Sequence, residues 1–367
     1  MNIKGLLISA VLMIGGCLMG CGTQHEDMDF VADMGSGFNL GNSLEATCTD
    51  GSVSGLDLET YWQNPKISKA MIENIAQAGF QTIRIPVTWD VHMDENGQID
   101  AAWMARVQEV VDEALDTGMY VILNAHHDTW YIPSKENEAY AKEMMEKVWS
   151  QIAEQFAGYD EKLLFEGMNE PRLIGTDVEW AGESKENDQI VDELNQLFVD
   201  TVRNSGGNNR VRYLLVTSYA DAIESIDRFT MPKGTHLIVT VHAYKPYTFA
   251  MDETGTAAWE PGLTQEIKVF MDNLQRRFTS KGIPVIIGEF GSIDKNNLND
   301  REQWLKDYIT LSGEADVMYI WWDEGGPSQE TYGRYRIFDR ETGVWLFESL
   351  KDILVTKNHT GGKNEKN

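Results

Sequence analysis

The chain has 367 residues and a formal net charge of −27. A surface that acidic excludes nucleic acid as a partner and disfavours adsorption to anionic lipid, whereas a neutral polymer makes no electrostatic demand on it. Of 3 cysteines, Cys17 and Cys21 lie near the start, so Cys48 stands alone in the body and neither an internal disulfide nor a paired-cysteine zinc site can form there.

Taken in chain order, residues 1–20 read as a leader. Lys4 gives a positive start, and Leu6 to Leu18 is almost wholly apolar but too short to span a bilayer. Leu18-Met19-Gly20-Cys21 resembles a bacterial lipobox, whose cysteine is the lipidated first residue of the mature protein; Ile14-Gly15-Gly16-Cys17 is a second match. Lipidation is therefore expected at Cys21, followed by a polar tether over 21–29. The expected setting is a bacterial cell envelope, outer membrane or cell surface, with the membrane met only through this lipid.

From residue 30 to 357 the sequence alternates apolar β-rich runs with amphipathic helical ones. The predicted strands are Gly35–Leu40, Thr82–Pro86, Tyr120–Ala125, Leu163–Met168, Tyr213–Thr217, Leu237–His242, Pro284–Phe290 and Met318–Trp322. Several are continuous, as in Val121-Ile122-Leu123 and Val285-Ile286-Ile287. Such strands are buried on both faces, which implies a parallel sheet. Helical patterns fall at Ile67–Ala78, Ala101–Asp116, Glu138–Phe156, Ile190–Asn204, Leu263–Ser280 and Arg301–Leu311. Repeated strand, helix, strand units predict an α/β fold, a (β/α)8 TIM barrel, as a single catalytic domain. Residues 358–367 are polar and read as a disordered tail.

Chemistry-bearing residues cluster at the predicted strand ends, the face where such barrels carry their sites. Glu170 ends strand 4 in Met168-Asn169-Glu170-Pro171, and Glu289 ends strand 7 in Gly288-Glu289-Phe290-Gly291. Across a barrel mouth, two carboxyl groups are what glycoside hydrolysis needs: one protonates the leaving oxygen, the other attacks the anomeric carbon or activates water. Arg84, alone in the apolar Ile83-Arg84-Ile85-Pro86, requires an anionic partner to be buried. His126-His127-Asp128 admits a metal-site reading, but adjacent strand residues point to opposite faces, so one histidine is expected in the site and the other behind the strand. Of the tryptophans in or near the loops after strands, Trp62, Trp89, Trp130, Trp180 and Trp259 are candidate sugar platforms, with Trp89 and Trp130 taken as possible aromatic subsites.

These segments, with Gly37-Phe38-Asn39-Leu40-Gly41-Asn42, His242-Ala243-Tyr244 and Trp321-Trp322, resemble glycoside hydrolase family 5 in seven places and in the right order. The likeness covers about residues 28–356 and leans to the endoglucanase, lichenase and xyloglucanase members. It implies a retaining endo-β-1,4-glucanase that needs no cofactor or metal, acting on β-glucan polysaccharide or oligosaccharide. It also implies roles: Glu170 as acid/base, Glu289 as nucleophile, and Asn169 bonded to the sugar 2-hydroxyl. Arg84 and Tyr244 would orient Glu289, His126 and His242 would line the site, and Trp322 would floor the cleaved sugar. Where the family commonly shows Trp-Trp-Asp-Asn, this chain has Asp323-Glu324. An endo-β-mannanase and a non-catalytic carbohydrate-binding lipoprotein are the alternatives. Electrostatically, Arg84 is expected to lower the pKa of Glu289, and the resulting charge to raise that of Glu170.

Overall fold

The computed structural model describes residues 18–180, 184–327 and 331–356, with the backbone alone for 18–24. After a helix α1 (Leu18–Asp33), the elements run β1 (Gly37–Leu40), α2 (Lys69–Gln77), β2 (Thr82–Ile85), α3 (Ala101–Asp116), β3 (Tyr120–Asn124), α4 (Glu138–Gln155), β4 (Leu163–Glu166), α5 (Lys185–Asn204) and β5 (Leu214–Thr217). They continue through β6 (Leu237–His242), α6 (Tyr247–Ala250), α7 (Thr264–Arg277), β7 (Val285–Phe290), α8 (Leu298–Glu314) and β8 (Val317–Asp323). A two-strand hairpin, β9 (Phe338–Asp339) and β10 (Val344–Trp345), and α9 (Glu348–Val355) complete it.

Strands β1 to β8 pair in sequence order, and β1 closes on β8 through Gly37 opposite Ile320 and Asn39 opposite Trp322. The result is a closed parallel barrel with helices outside. Ile122, Leu164, Leu215, Ile238, Ile286, Met318 and Ile320 form one buried cluster, separate from the larger core between strands and helices. Helix boundaries follow local chemistry. Asp100 caps α3 by accepting from the amides of Ala102 and Trp103 at 2.9 Å. Ser184 caps α5 by accepting from Glu186, which starts that helix at Lys185 rather than at the predicted Ile190.

Between β5 and β6, where the sequence offers no helical pattern, the described residues hold no α-helix: a 3-10 turn at Tyr219–Asp221 and further turns make the connection. One expectation changes. The stretch 21–29 is not a free tether throughout. Its backbone lies in α1, and Asp27 accepts a hydrogen bond from the Tyr213 hydroxyl at 3.0 Å while facing His236 Nδ1 at 3.0 Å. Polar composition suggested solvent; the reason it fails is that the next turn is apolar. Phe30 stacks on Tyr213 at 3.7 Å, and Val31 and Met34 join the cluster of inward-facing strand residues. Residues 1–17 of the leader and the tail from 358 on lie outside the described residues.

Met34 is fully buried at the floor of the barrel, far from the strand ends that carry Glu170 and Glu289. Met34→Ala should therefore lower the unfolding free energy by about 2–5 kcal/mol in urea titration. Turnover by the fraction that stays folded should be unchanged; a loss of turnover without a loss of stability would contradict this placement.

Candidate active site

The mouth at the C-terminal ends of the strands gathers Arg84, His126, Asn169, Glu170, His242, Tyr244, Glu289 and Trp322. Arg84 sits deepest, with no solvent exposure. Its Nε donates to Glu166 Oε2 at 2.7 Å, and Nη1 donates to Asn39 Oδ1 at 2.9 Å and to Glu289 Oε1 at 2.8 Å. Nη2 donates to Asn169 Oδ1 at 2.7 Å. Two carboxylates and two amide oxygens thus answer one buried cation, the condition under which such burial is tolerated.

Glu289 ends up between Arg84 and Tyr244, whose hydroxyl donates to Glu289 Oε2 at 2.9 Å. The ladder is irregular on both sides of it: the β6–β7 register shifts at Val241/His242, and the β7–β8 register between Ile287 and Phe290. Irregular pairing of this kind re-aims a side chain at a barrel rim. Gly288 is required beside it, because a Cβ there would meet Thr240 Oγ1 at 2.7 Å and His242 Nε2 at 3.2 Å.

Glu170 follows β4 with a left-handed backbone, φ 46°. Its amide donates to Asp221 Oδ2 at 2.6 Å, and its Oε1 is 2.8 Å from His242 Nδ1. Arg172 Nη1 reaches its Oε2 at 3.3 Å and its carbonyl at 3.0 Å. One donor atom each of Glu170, His242 and Glu289 lies within 4.8 Å of the others. At least one oxygen of each carboxylate is therefore that close, the short separation that suits a nucleophile rather than the wider gap that admits a water between two carboxyls.

Charge is balanced locally. Burial opposes the charge of His242, but Glu289, Asp221 and Glu170 outweigh it and push the imidazole up to about 9. Burial likewise pushes Glu170 up, yet the hydrogen bond and charge of His242, with Arg172 beside it, hold its carboxyl below the usual range. For Glu289 burial prevails: His242 and Arg84 pull down, the Glu170 charge pushes up, and the net shift is upward. This reverses the order expected from Arg84 alone. The reason is His242, a second buried cation that sequence gave no sign would be charged, and that bonds directly to Glu170.

The histidine pair also differs from expectation. β3 ends at Asn124, so the alternation that would send one ring behind the strand no longer applies. His126 is buried, with Nδ1 2.9 Å from Asn124 Nδ2 and Nε2 3.9 Å from Glu289 Oε1. His127 is also on the mouth side, its ring 5.7 Å from Trp62; burial lowers it to about 4. Asp128 is occupied as a loop tie, accepting from the amides of Trp89 at 2.8 Å and Asp90 at 2.6 Å.

Two candidate platforms are corrected. Trp89 and Trp130 are 0% and 2% exposed and belong to the core, Trp89 donating through Nε1 to the Asn124 carbonyl at 2.9 Å. Trp321 is buried too, whereas Trp322 is half-buried and lies parallel to His126, 5.9 Å away. A Cβ on Gly41 would meet the Trp322 ring at 2.7 Å, so the glycine makes room for it. Trp62 is half-buried beside His127; Trp180 is 58% exposed over Arg172 at 4.3 Å; Trp259 is tied to Asp307 by its Nε1 at 2.9 Å. Asp323 accepts from the amide of Ile337 at 2.7 Å and from Arg340 Nη2 at 2.9 Å. Glu324 accepts from the amide of Tyr335 at 3.0 Å, and its carboxyl is raised to about 7, by burial first and by Asp323 second.

Sequence reasoning missed Glu166, Asn39, Asp221, Arg172 and Tyr335. Glu166 had a signal: it is the one charge in Leu163-Leu164-Phe165-Glu166, and a buried Arg84 needs more than one anion. Asp221 had none, since its contact with Glu170 spans 51 residues. Tyr335 packs 5.0 Å from Tyr244 and is reached only by the return of the loop after β8.

The charge on His242 can be read directly. Its imidazole should titrate near pH 9 in nitrogen-resolved NMR, above the ordinary value of about 6.5. Because the folded value is the higher one, this charge stabilises the fold fully below about pH 6.5, and the contribution is lost as pH rises through about 9. In Glu170→Gln the midpoint should move down. A midpoint near the ordinary value in both proteins would refute the ion pair.

Comparison with known proteins agrees with this geometry. Residues 44–327 match the family model for cellulase, glycosyl hydrolase family 5. The chain is 43% identical over 340 residues to endoglucanase B of Ruminococcus albus, covering 90% of this chain and 81% of that one. Its structure is similar to the GH5-4 broad specificity endoglucanase from Clostridium acetobutylicum, with TM-score 0.84, 39% identity and 90% and 99% of the two chains covered. It is also similar to a variant of the family 5 lichenase from Caldicellulosiruptor sp. F32 in complex with cellotetraose, with TM-score 0.86, 36% identity and 96% and 98% covered. An eight-stranded barrel with paired glutamates at the ends of β4 and β7, matched over most of its length at these identities, places the chain in glycosyl hydrolase family 5.

Proposed function

We propose that this family 5 enzyme is a retaining endo-β-1,4-glucanase in which Glu289 is the nucleophile and Glu170 the acid/base. The observation that carries this is the proximity of the two carboxylates, with oxygens within 4.8 Å of each other, at the mouth of the barrel. The glucan class is supported by relatives named for endoglucanase and lichenase activity, one of them holding cellotetraose.

In the first step an oxygen of Glu289 attacks the anomeric carbon. The bond from that carbon to the bridging oxygen breaks, and Glu170 gives its proton to that oxygen, releasing one end of the chain. The glucosyl unit remains as an ester on Glu289. Glu170, now a carboxylate, then takes a proton from water, whose oxygen attacks the same carbon and frees Glu289. Arg84 and Tyr244 hold Glu289 in place and stabilise it as it departs in the second step. His242 Nδ1 lies 2.8 Å from Glu170 Oε1, so a protonated His242 hands its proton to Glu170 before the first step and takes one back after the second. Asn169, with its Oδ1 taken by Arg84, has its amide nitrogen left to donate to the sugar 2-hydroxyl. Trp322 supplies an apolar floor to the cleaved sugar.

We further propose that the chain is lipidated at Cys21 and held to the bacterial cell envelope by that lipid. The lipobox-like Leu18-Met19-Gly20-Cys21 supports this. Among the described residues no helix is long and apolar enough to cross a membrane.

The catalytic assignment is tested with Glu289→Gln and a panel of carboxymethylcellulose, mixed-linkage β-glucan, xyloglucan and mannan. Reducing-sugar release from at least one glucan is expected from the unmodified protein, and should survive a chelator. In Glu289→Gln it should fall by about 10⁴-fold or more, as for loss of a nucleophile, while oligosaccharide binding by calorimetry persists. Activity retained in the variant would exclude the role, and activity confined to mannan would exclude the substrate class.

A further inference from the structure

The catalytic mouth and the start of the mature chain lie at opposite ends of the barrel. Glu170, His242, Tyr244 and Glu289 stand at the C-terminal ends of β4, β6 and β7. The N-terminal segment is fastened to the other end. Phe30 stacks on Tyr213, just before β5, at 3.7 Å and 11°, and meets Tyr120, the first residue of β3, edge-on at 5.4 Å. Asp27 accepts from the Tyr213 hydroxyl and faces His236, just before β6. Val31 and Met34 close the floor beneath the inward-facing strand residues.

From these contacts we infer that the enzyme stands floor-down on the bilayer, with its catalytic mouth turned away from the lipid. This rests on lipidation at Cys21, as proposed above. Cys21 is six residue steps from Asp27, the first of the described side chains fixed to the floor. That length reaches about 20 Å when fully extended and about 9 Å as helix. Passing from the floor to the mouth means running the height of the outer helices. α4 alone, with 18 residues, stands about 27 Å tall by the rise of an α-helix. A lipid on Cys21 therefore cannot lie beside the mouth while Asp27 and Phe30 keep their contacts. With a net charge of −27, attraction to anionic lipid does not compete to tip the barrel over. The partner that fits the floor is a lipid surface met through the anchor. The mouth is left open to polymer chains approaching from the aqueous side.

The experiment uses the full-length protein processed in a bacterial host and reconstituted into phosphatidylcholine vesicles that carry an acceptor dye on the headgroup. Mass spectrometry of the same sample first establishes whether Cys21 bears lipid. A donor dye is then placed on Cys48, in the loop after β1 at the mouth, or on Glu161→Cys in a Cys48→Ser background, in the exposed floor loop before β4. Energy transfer to the membrane should be several-fold stronger from position 161 than from position 48. Inserting about 20 flexible glycine and serine residues after Cys21, a span of roughly 25 Å, should bring the two values together. Equal transfer from both positions in a lipid-bearing protein, or stronger transfer from Cys48, overturns the orientation and leaves the lipidation reading standing. Absence of lipid at Cys21 overturns both. In Cys21→Ser the protein should leave the vesicles with its activity on soluble glucan intact.

Discussion

Arg84 is the interaction on which the site depends. A guanidinium with no exposed surface sits where β1, β2, β4 and β7 converge, and it spends its donors on Asn39, Glu166, Asn169 and Glu289, which come from three of those strands and the loop after β4. Removing either carboxylate would leave part of a buried charge unanswered, at a cost of about 3–5 kcal/mol. That asymmetry makes the cluster a constraint on the whole mouth. Once Arg84 is placed, the orientations of Glu289 and Asn169 follow, and with Asn169 the turn that presents Glu170. Glu166 adds nothing to the chemistry directly; its carboxylate lets the arginine stay buried without drawing all its neutralisation from Glu289.

The site is a small electrolyte inside a highly acidic protein. Arg84, Arg172 and His242 face Glu166, Glu170, Asp221 and Glu289 at contacts of 2.7 to 3.8 Å. A neutral sugar brings no charge with it, so it displaces water without upsetting this balance. What must change on the way to reaction is the position of one proton between His242 and Glu170, a short transfer along an existing hydrogen bond. Asp221 anchors the pair from the side, accepting from the Glu170 amide and facing His242 Nε2.

Much of this was legible in the sequence, for identifiable reasons. Continuous apolar strands such as 121–123 and 285–287 announced a parallel sheet, and the amphipathic runs between them announced the helices around it. Glu170 and Glu289 could be singled out because each ends a run that reads as a strand, and Arg84 because it stands alone in an apolar one. Composition could not tell a platform from a core residue: Trp89 and Trp322 both follow or end a strand, and only packing shows that one ring is enclosed and the other lines the mouth. Nor could it reveal His242 as a cation, because that charge comes from carboxylates on three different strands or strand ends. The floor contact of Asp27 was hidden for the same reason. A polar residue reads as solvated until its partners, Tyr213 and His236, are brought to it from 186 and 209 residues away.

The left-handed backbone at Glu170 has a thermodynamic meaning. Glu170 at φ 46°, Ala220 at 57° and Asp221 at 51° all adopt a conformation natural to glycine, and two of the three carry carboxyl groups, the Asp221 carboxylate accepting from the Glu170 amide across the β4 and β5 ends. For an L-residue that geometry costs roughly 1–2 kcal/mol each. At Glu170 and Asp221 the fold tolerates the cost because a glycine would carry no carboxyl group. Selection for stability alone would therefore erode this corner of the barrel toward glycine, and selection for catalysis holds it where it is. Attempts to harden the enzyme by relaxing these positions would be working against its turnover, so thermostabilising changes belong on the helices and the floor.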